Sequence, residues 1–310
     1  MQLPNLDSLP SMFERSVQGR TLILDADGLC YQAASTVKRL ETALTRFQTL
    51  VATEMFVTGA EFVEIHLTPS GCTKCRRFDY PTNRPYQAQR TGPKPPLLQP
   101  LRDSIPRQEW PDNWSVYSWQ DREADDGMIM HGVRHGDNGI ILSADKDLRL
   151  TAGPYWEIEE GRLDVIPDRY GYIRTKELTS TTKVIGHGTR FYWCQMLMGD
   201  SADNVKGLLT YDGRSIGPVG AYNLLKDVSE EGGAAELVLA AYGKINQDPL
   251  AEAQCLWLRR SDEDCAYKYI SELGLQPRYQ QWLDDLQGYH EQWLAMRLSQ
   301  RQEARYDAMC

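Results

Sequence analysis

Short apolar runs in the first half of the chain are separated by longer stretches that have helical periodicity. The runs 21–25, 62–68, 114–119 and 138–143 have the length and composition of β-strands. Residues 28–56 carry apolar side chains at helical spacing, and a shorter helix is expected to start near Ala124. Because strands and helices alternate, the pattern predicts an α/β fold with helices on both faces of a parallel central sheet.

The second half of the chain has a different pattern, which is mainly helical from about residue 190. We therefore predict an α/β core over 1–190 and a helical region over 191–310. Within the core, residues 69–112 are rich in Pro, Arg and Gln and show no clear period. A long irregular segment in a compact protein is usually functional or mobile, so 69–112 is a candidate for substrate contact.

The composition is typical of a soluble globular protein. No stretch of its 310 residues approaches the roughly 20 apolar residues of a membrane helix, so no membrane association is predicted. The seven scattered cysteines favour reduced thiols and a cytoplasmic location, in a bacterium or in the bacterial host of a phage. The start of the chain, 1–5, has no basic or apolar signal region, which agrees with that location.

Few cysteines and histidines have the spacing of a metal site. Cys72 and Cys75 form the one close pair, with His66 upstream, but a zinc site normally needs four ligands. His131, His135 and His187 show no metal-ligand spacing with a second type of ligand. We therefore predict no zinc site and interpret these histidines as packed or surface residues.

Carboxylates recur where the predicted strands end and in the turns that follow. In an open parallel sheet these ends converge on one crevice. Clustered acids repel one another unless cations neutralise them, and their oxygens suit Mg²⁺ or Mn²⁺. Two such ions can activate water and stabilise a leaving oxygen in phosphoryl transfer. A simpler role for Asp121 or Asp125 is to cap the following helix. The acids are Asp25, Asp27, Glu123, Asp125, Asp126, Asp145, Asp147, Asp200 and Asp203.

Four motifs resemble those of the flap-endonuclease and phage 5′-exonuclease family. They are LILD at 22–25, EADD at 123–126, SADKDL at 143–148 and GDSADN at 199–204. Their order and approximate spacing are similar to those of the family, across about two thirds of the chain. The resemblance implies two Mg²⁺ or Mn²⁺ ions, the first served by Asp25, Glu123, Asp125 and Asp126, the second by Asp145, Asp147, Asp200 and Asp203.

A further motif resembles the family's helix–three-turn–helix, which grips the duplex backbone and usually binds K⁺. It lies at 215–221, where Ile216, Gly217, Val219 and Gly220 would contact DNA. Glycines permit close backbone approach, and amides at a helix N-terminus can face a phosphate. An ordinary connection between two helices would also have this sequence.

The chain departs from the family at several positions. The second predicted strand ends in Thr68-Pro69-Ser70 without the family's acid, although Thr68 or Ser70 could hold a metal-bound water. Gln87 replaces the lysine that meets the scissile phosphate, while Tyr86 and Arg90 match. The resemblance assigns Arg90 to that phosphate, with Arg76 and Arg77 sharing its role and Lys74 supplying the ammonium. Val219 replaces a lysine, and 208–214 resembles an insertion.

The resemblance as a whole implies a Mg²⁺-dependent 5′–3′ exonuclease or flap endonuclease that hydrolyses DNA by two-metal catalysis. Its partners would be DNA with 5′ ends or flaps, or RNA–DNA hybrids, and it would act as a monomer in phage or bacterial DNA replication. The segment 69–112 would form an arch or gateway over the 5′ strand.

Three other functions fit parts of the sequence. The run 25–28, Asp-Ala-Asp-Gly, resembles the opening of haloacid-dehalogenase-type phosphatases, in which the first Asp is a nucleophile. The missing second-strand acid and Gln87 are also compatible with a DNA-binding protein that has lost turnover. A PIN-like ribonuclease has a related fold, but usually a shorter chain without the turn at 217–220.

Overall fold

The computed structural model describes residues 16–307, with side chains described through residue 304, and it contains all four predicted strands. They are β1 (Thr21–Asp25), β2 (Phe62–Leu67), β3 (Trp114–Ser118) and β4 (Gly139–Leu142). The start of the chain, on which the absence of a signal region was predicted, lies outside the described residues.

The central sheet has the order β3-β2-β1-β4-β5-β6, and its first five strands are parallel. The predicted α/β class and parallel sheet are therefore confirmed. The pattern did not predict β5 (Gly153–Glu157), the antiparallel β6 (Arg162–Ile166), or a separate hairpin of β7 (Tyr172–Glu177) and β8 (Thr182–His187). These edge and hairpin strands are only partly buried, so their apolar signal is weak.

The single helix predicted over 28–56 is two helices, α1 (Ala26–Ala34) and α2 (Leu40–Thr58). The chain turns between them, where Ser35 ends α1 in an extended conformation and Thr36 has a φ of +65°. Apolar residues of both helices face one cluster, which also contains the buried side chains of β2. Similar faces on both sides of the turn explain why the pattern looked continuous.

The segment 69–112 is more regular than predicted. It contains a 3₁₀ turn over Lys74–Asp79 and a helix, α3 (Leu98–Ser104), that packs beside α1 and α2. Leu98, Leu101 and Ile105 are buried in the α1–α2 cluster. The Pro-rich sequence before these leucines has no helical period, so the local pattern did not indicate the helix that they anchor.

The remaining helices follow the predicted trend. After β3 comes α4 (Ala124–His135), and from residue 188 the described chain is mainly helical. The larger hydrophobic cluster joins Ile23 and Ile141 of the sheet to Trp193, Trp257 and residues as far as Leu283, so one core spans the predicted boundary at 190. Across the described residues, no helix is both long and apolar enough to cross a membrane. The C-terminal helices are α5 (Gly188–Met198), α6 (Pro218–Leu225), α7 (Glu231–Lys244), α8 (Pro249–Leu256), α9 (Ala266–Ser271) and α10 (Pro277–Asp307).

Candidate active site

Asp25 marks the centre of the carboxyl edge of the sheet. It ends β1 and caps α1, because its Oδ1 accepts hydrogen bonds from the backbone amides of Asp27 (3.0 Å) and Gly28 (3.4 Å). Its Oδ2 accepts a hydrogen bond of 2.8 Å from Ser143 Oγ, which follows the neighbouring strand β4. The parallel pairing of β1 with β4 therefore brings the LILD and SADKDL motifs together.

A cavity of about 650 Å³ opens at this edge of the sheet. Five of the eight predicted metal ligands line it: Asp25, Glu123, Asp125, Asp145 and Asp203. Asp126, Asp147 and Asp200 do not line it. The convergence of strand ends, which the sequence predicted, is thus seen for most of the acids.

Asp25, Asp125 and Asp145 form the part of this cavity in which negative charge is least compensated. Burial, followed by repulsion from Asp25 and Asp145, raises the pKa of Asp125 well above its ordinary value. Burial also raises the pKa of Asp25 and of Asp145. Among the described residues, no Lys or Arg forms an ion pair with Asp25 or Asp125. A hard divalent cation fits this donor set.

Asp27 supplies a further acid at the end of β2, where the sequence has none. Its Oδ1 accepts a hydrogen bond from the backbone amide of Thr68 (3.4 Å) and lies 3.1 Å from Arg102. Thr68 Oγ1 in turn accepts a hydrogen bond of 2.9 Å from the amide of Ala124, at the start of α4. Thr68 is therefore held between α1 and α4, and an aspartate from α1 stands beside it.

Glu123 and Asp203 form a second group, linked by Tyr86 and Gln87. Tyr86 Oη donates to Glu123 (2.7 Å) and lies 3.1 Å from Asp203, while Gln87 Nε2 lies 3.1 Å and 2.8 Å from the same two carboxylates. The resemblance assigned Glu123 and Asp203 to different ions. In the structure, the loop at 86–87 holds these two carboxylates together through shared hydrogen-bond donors.

Lys74 completes this group at the wall of the cavity. Its Nζ lies 2.7 Å from Glu123 Oε1 and 2.5 Å from Gln87 Oε1. Burial by itself raises the pKa of Glu123, but Arg77 and Lys74 outweigh it and bring that pKa to about 2. The ammonium of Lys74 therefore lies beside Gln87, although position 87 itself carries no lysine.

Arg77 and Asp126 do not belong to the cavity, which corrects both assignments. Arg77 is 2 % exposed and binds Asp126 through two hydrogen bonds of 2.7 and 2.8 Å. It also donates to Glu123 and to the carbonyl of Trp257. Asp126 further accepts from the amides of Glu123 and Arg259, so Glu123, rather than Asp121 or Asp125, is the N-cap of α4. This buried pair joins the 3₁₀ turn at Lys74–Asp79 and the start of α4 to the segment that follows α8.

Arg76 and Arg90 have different surroundings. Arg76 donates to the carbonyl of Leu294 on α10 and lies 3.5 Å from Asp79, and it does not line the cavity. Arg90 lines the cavity, is about half exposed and pairs with Asp203. Of the predicted arginines, Arg90 is the one available to a phosphate at the cavity.

Asp147 and Asp200 form a third group behind Asp145. Lys146 pairs with both, and Gln195 Nε2 donates to Asp147 (2.6 Å) and Asp200 (3.0 Å). Burial raises the pKa of Asp147 to about 7, whereas Lys146 outweighs burial and lowers the pKa of Asp200. These acids already have a cationic partner, so an ion there has to compete with Lys146.

The cavity also contains basic and aromatic residues that were not singled out from the sequence. Lys94 and Arg102 add positive charge, and Tyr31 and Phe78 present aromatic rings that are about half exposed. Their positions depend on how 69–112 folds against α1, which periodicity did not reveal. Exposed aromatic rings beside an acidic cavity are typical of base stacking. The sequence could not reveal this pairing, because Tyr31 lies on α1 and Phe78 in the 3₁₀ turn, and the two meet only in the folded chain.

The predicted DNA-binding turn connects two helices. Gly217 caps α6 and Pro218 begins it, while Ile216, Val219 and Gly220 line a shallow cavity of about 560 Å³. A Cβ at Gly220 would lie 3.0 Å from Ile216 Cγ1, so the glycine permits the close packing of this turn. Val219 is exposed, which leaves this surface open to a partner.

In the described residues, each thiol of the cysteine pair has its own hydrogen-bond partner. Cys72 Sγ donates to the carbonyl of Arg122, and Cys75 Sγ lies 3.9 Å from Asp126. Burial raises the pKa of Cys75 to about 12, which keeps its thiol protonated. His66 lies elsewhere, against Trp119.

The chain matches no protein-family model and no curated protein sequence. Among solved structures it is similar to the bacteriophage T5 D15 flap endonuclease in a pseudo-enzyme–product complex with DNA and metal ions. The TM-score is 0.51 at 15 % identity, covering 88 % of this chain and 99 % of that one. This similarity shows that the chain has the fold of a 5′-nuclease and confirms the fold that the motifs implied.

Two further T5 structures are matched at 15 % identity. One is a 5′-exonuclease mutant, with a TM-score of 0.47 over 87 % of this chain and 98 % of that one. The other is the D15 protein co-crystallised with metal ions, with a TM-score of 0.49 over 89 % and 98 %.

Proposed function

We propose that this protein is a divalent-metal-dependent 5′-nuclease that hydrolyses phosphodiester bonds near the 5′ ends or flaps of DNA. The observation that carries the proposal is the meeting of Asp25, Asp125 and Asp145 at one cavity with a basic and aromatic rim. The acids come from three separate strand ends or helix starts, and burial, followed by repulsion from the neighbouring acids, raises the pKa of Asp125. The fold supports a nuclease over the phosphatase that Asp25 and Asp27 suggested.

Asp25, Asp125 and Asp145 would hold the first Mg²⁺ or Mn²⁺ ion. Such an ion supplies Lewis-acid stabilisation of charge on phosphate oxygens and lowers the pKa of water. A second ion would be held by Asp147 and Asp200 once Lys146 turns away from them. The lysine is about half exposed, so this exchange requires no change in the core.

The rim of the cavity has the groups that a nucleic-acid strand requires. Lys74, Arg90, Lys94 and Arg102 would neutralise phosphates, which carry most of the affinity of such complexes. The rings of Tyr31 and Phe78 would stack on bases without reading their sequence. This combination favours a polymeric substrate over a small phosphomonoester.

Two other regions would extend the contact. The turn with Ile216, Gly217, Val219 and Gly220 would hold the duplex backbone, with K⁺ as its ion. The segment 69–112, which forms one wall of the cavity, would act as the arch or gateway for the 5′ strand. We further propose that the protein also acts on RNA–DNA hybrids and takes part in phage or bacterial DNA replication. It would do so in the cytoplasm and as a monomer.

The test of the proposal is cleavage of a 5′-labelled flapped duplex with Mg²⁺, Mn²⁺ or chelator. We expect short labelled products with either metal and none with chelator. Hydrolysis of a phosphomonoester in place of the duplex would reject the nuclease and support the phosphatase. Binding of the duplex without cleavage under any metal would instead support a DNA-binding protein without turnover.

Lys74 is expected to serve the scissile phosphate in place of the family's lysine, because its ammonium contacts Gln87. Lys74→Ala should lower kcat on the flapped duplex by about 100-fold, the effect of removing one preorganised stabilising group. Lys38→Ala, at an exposed lysine remote from the cavity lining, is the matched control and should leave kcat unchanged.

Rescue distinguishes this role from a structural one. In Lys74→Ala/Gln87→Lys the ammonium comes from the position at which the family has its lysine, so a large part of kcat should return. A double variant no more active than Lys74→Ala, with an unchanged Tm, would show that Lys74 acts through Glu123 and not on the substrate.

A further inference from the structure

A second group of potential metal ligands lies between β2 and α4, away from the acidic cavity. Glu64 and His66 are two residues apart on β2 and so point to the same face of the sheet. His131 and His135 are four residues apart on α4 and so share one face of that helix. The packing of α4 on β2 brings these two faces together.

The side chains of this group converge on Glu64. His131 Nδ1 lies 2.7 Å from Glu64 Oε2, and His135 Nε2 lies 3.1 Å from Glu64 Oε1. One ligand atom from each of the three residues lies within 4.8 Å of the other two. The sequence predicted no second type of ligand for His131 and His135. That prediction is wrong, because the carboxylate comes from a strand 67 residues earlier.

His66 is a buried polar side chain aimed at the same carboxylate. Its Nδ1 accepts a hydrogen bond of 3.1 Å from Trp119 Nε1, which places its proton on Nε2. Within the described chain, that Nε2 has no hydrogen-bond partner, and it lies 3.9 Å from Glu64 Oε2. The ring N–H of His66 is thus aimed at Glu64.

The group is accessible from the surface. A cavity of about 360 Å³ is lined by Glu64 and His135, together with Asp112, Asn113 and Ser115. This cavity lies near the starts of β1 and β2, because Thr21 and Phe62 also line it. The acidic cavity lies at the other ends of these strands. An ion can therefore reach Glu64 and His135, and water from the cavity can complete its coordination.

We propose that Glu64, His131 and His135 bind a Zn²⁺ ion, with a water as fourth ligand and His66 as a hydrogen-bond donor to Glu64. Two imidazoles and one carboxylate suit Zn²⁺, whereas Mg²⁺ prefers oxygen ligands only. The ion would tie α4, which begins with Glu123 and Asp125, to the central sheet. The proposed zinc site does not depend on the nuclease function proposed above.

The other comparable group, Glu157, Asp164 and His187, is less suited to a cation. Arg149 forms an ion pair with Glu157 and lies 3.1 Å from His187 Nε2. A guanidinium therefore already occupies the space beside these ligands. Among the described residues, in contrast, no Lys or Arg forms an ion pair with Glu64.

The test measures Zn²⁺ binding to the chelator-treated full chain by calorimetry, with excess Mg²⁺ present to occupy the acidic cavity. We expect one Zn²⁺ per chain in the parent, in Asp125→Asn and in Arg134→Gln, which replaces the exposed neighbour of His135 on the same helix. His135→Gln should lose more than the roughly 10–100-fold in affinity that an outer-shell change costs. Zn²⁺ should also raise the Tm of the parent in a concentration-dependent way.

Two further measurements keep the proposal falsifiable if His135→Gln folds poorly. Co²⁺ in place of Zn²⁺ should give the intense visible absorption of a nitrogen-ligated site of low coordination number. His66→Phe, which keeps the ring but removes the donor, should weaken Zn²⁺ binding by about 10–100-fold. Unchanged affinity in His135→Gln, a weak octahedral Co²⁺ spectrum, or loss of Zn²⁺ binding only in Asp125→Asn would overturn the proposal.

Discussion

Asp125→Asn should abolish cleavage of the flapped duplex while raising the stability of the metal-free protein. Asp125 lies between Asp25 and Asp145 at the cavity, and an amide in its place is a poor ligand for a hard divalent ion. Loss of several kcal/mol of charge stabilisation corresponds to a fall in kcat of about 1,000-fold or more. The measurement is single-turnover cleavage with saturating Mg²⁺.

The gain in stability follows from the raised pKa of Asp125. Because this pKa is higher in the folded than in the unfolded chain, ionisation destabilises the fold. The penalty begins as the pH rises through the unfolded value of about 4 and grows until the folded pKa is reached. In chelator at pH 7, Asp125→Asn should therefore have a higher Tm, by about 2–4 °C for each kcal/mol of penalty removed.

The pH dependence separates this cause from a general effect of the substitution. Below about pH 4 the aspartate is protonated in both states, so the Tm difference between Asp125→Asn and the parent should vanish. Asp137→Asn, in an exposed turn, is the matched control and should change neither Tm nor kcat. A variant that retains full Mg²⁺-dependent cleavage would remove Asp125 from the proposed site.

Arg77→Met should be the most destabilising change among the basic residues predicted for the site. It leaves Asp126, which is fully buried, and Glu123 without the guanidinium that neutralises them. Breaking a buried ion pair by removing one partner destabilises a protein by about 3–5 kcal/mol. Urea unfolding of the metal-free chain, followed by far-UV circular dichroism, measures this loss.

Arg76→Met is the matched control, because the neighbouring guanidinium is about one third exposed and reaches only Asp79 and the backbone of α10. Its effect on unfolding should stay within about 1 kcal/mol, because Asp79 keeps its ion pair with Arg301 when Arg76 is removed. If Arg77→Met were instead as stable as the parent but unable to cleave DNA, the guanidinium would act on the substrate. The assignment of Arg77 to the fold would then fail.

The local sequence was sufficient to predict the parts of the fold that depend on short-range patterns. The run at 21–25 is buried on both faces, which gives a parallel strand a nearly continuous apolar signal, and β2 keeps buried apolar residues at 63, 65 and 67. The acid that follows such a strand must lie at the carboxyl edge of the sheet, so Asp25, Asp125 and Asp145 could be placed at one cavity. The edge strands β5 to β8 escaped prediction because one of their faces is exposed.

The partners of each acid could not be predicted, because they come from residues far away in the sequence. Lys74, Tyr86 and Gln87 reach Glu123 from a loop whose path depends on the burial of Leu98 and Leu101 against α1. That path decides whether a carboxylate faces a cavity or neutralises an arginine.

The sequence by itself determined the strands β1 to β4, the alternation of strands with helices and most of the acids at the sheet edge, because these follow from periodicity and strand direction. Only the tertiary structure decided that Asp126 pairs with Arg77, that Asp203 joins Glu123, and that Glu64 meets two histidines of α4. The reason is physical: a side chain's direction is local, but the charge and hydrogen bonds that it meets are set by packing between distant segments.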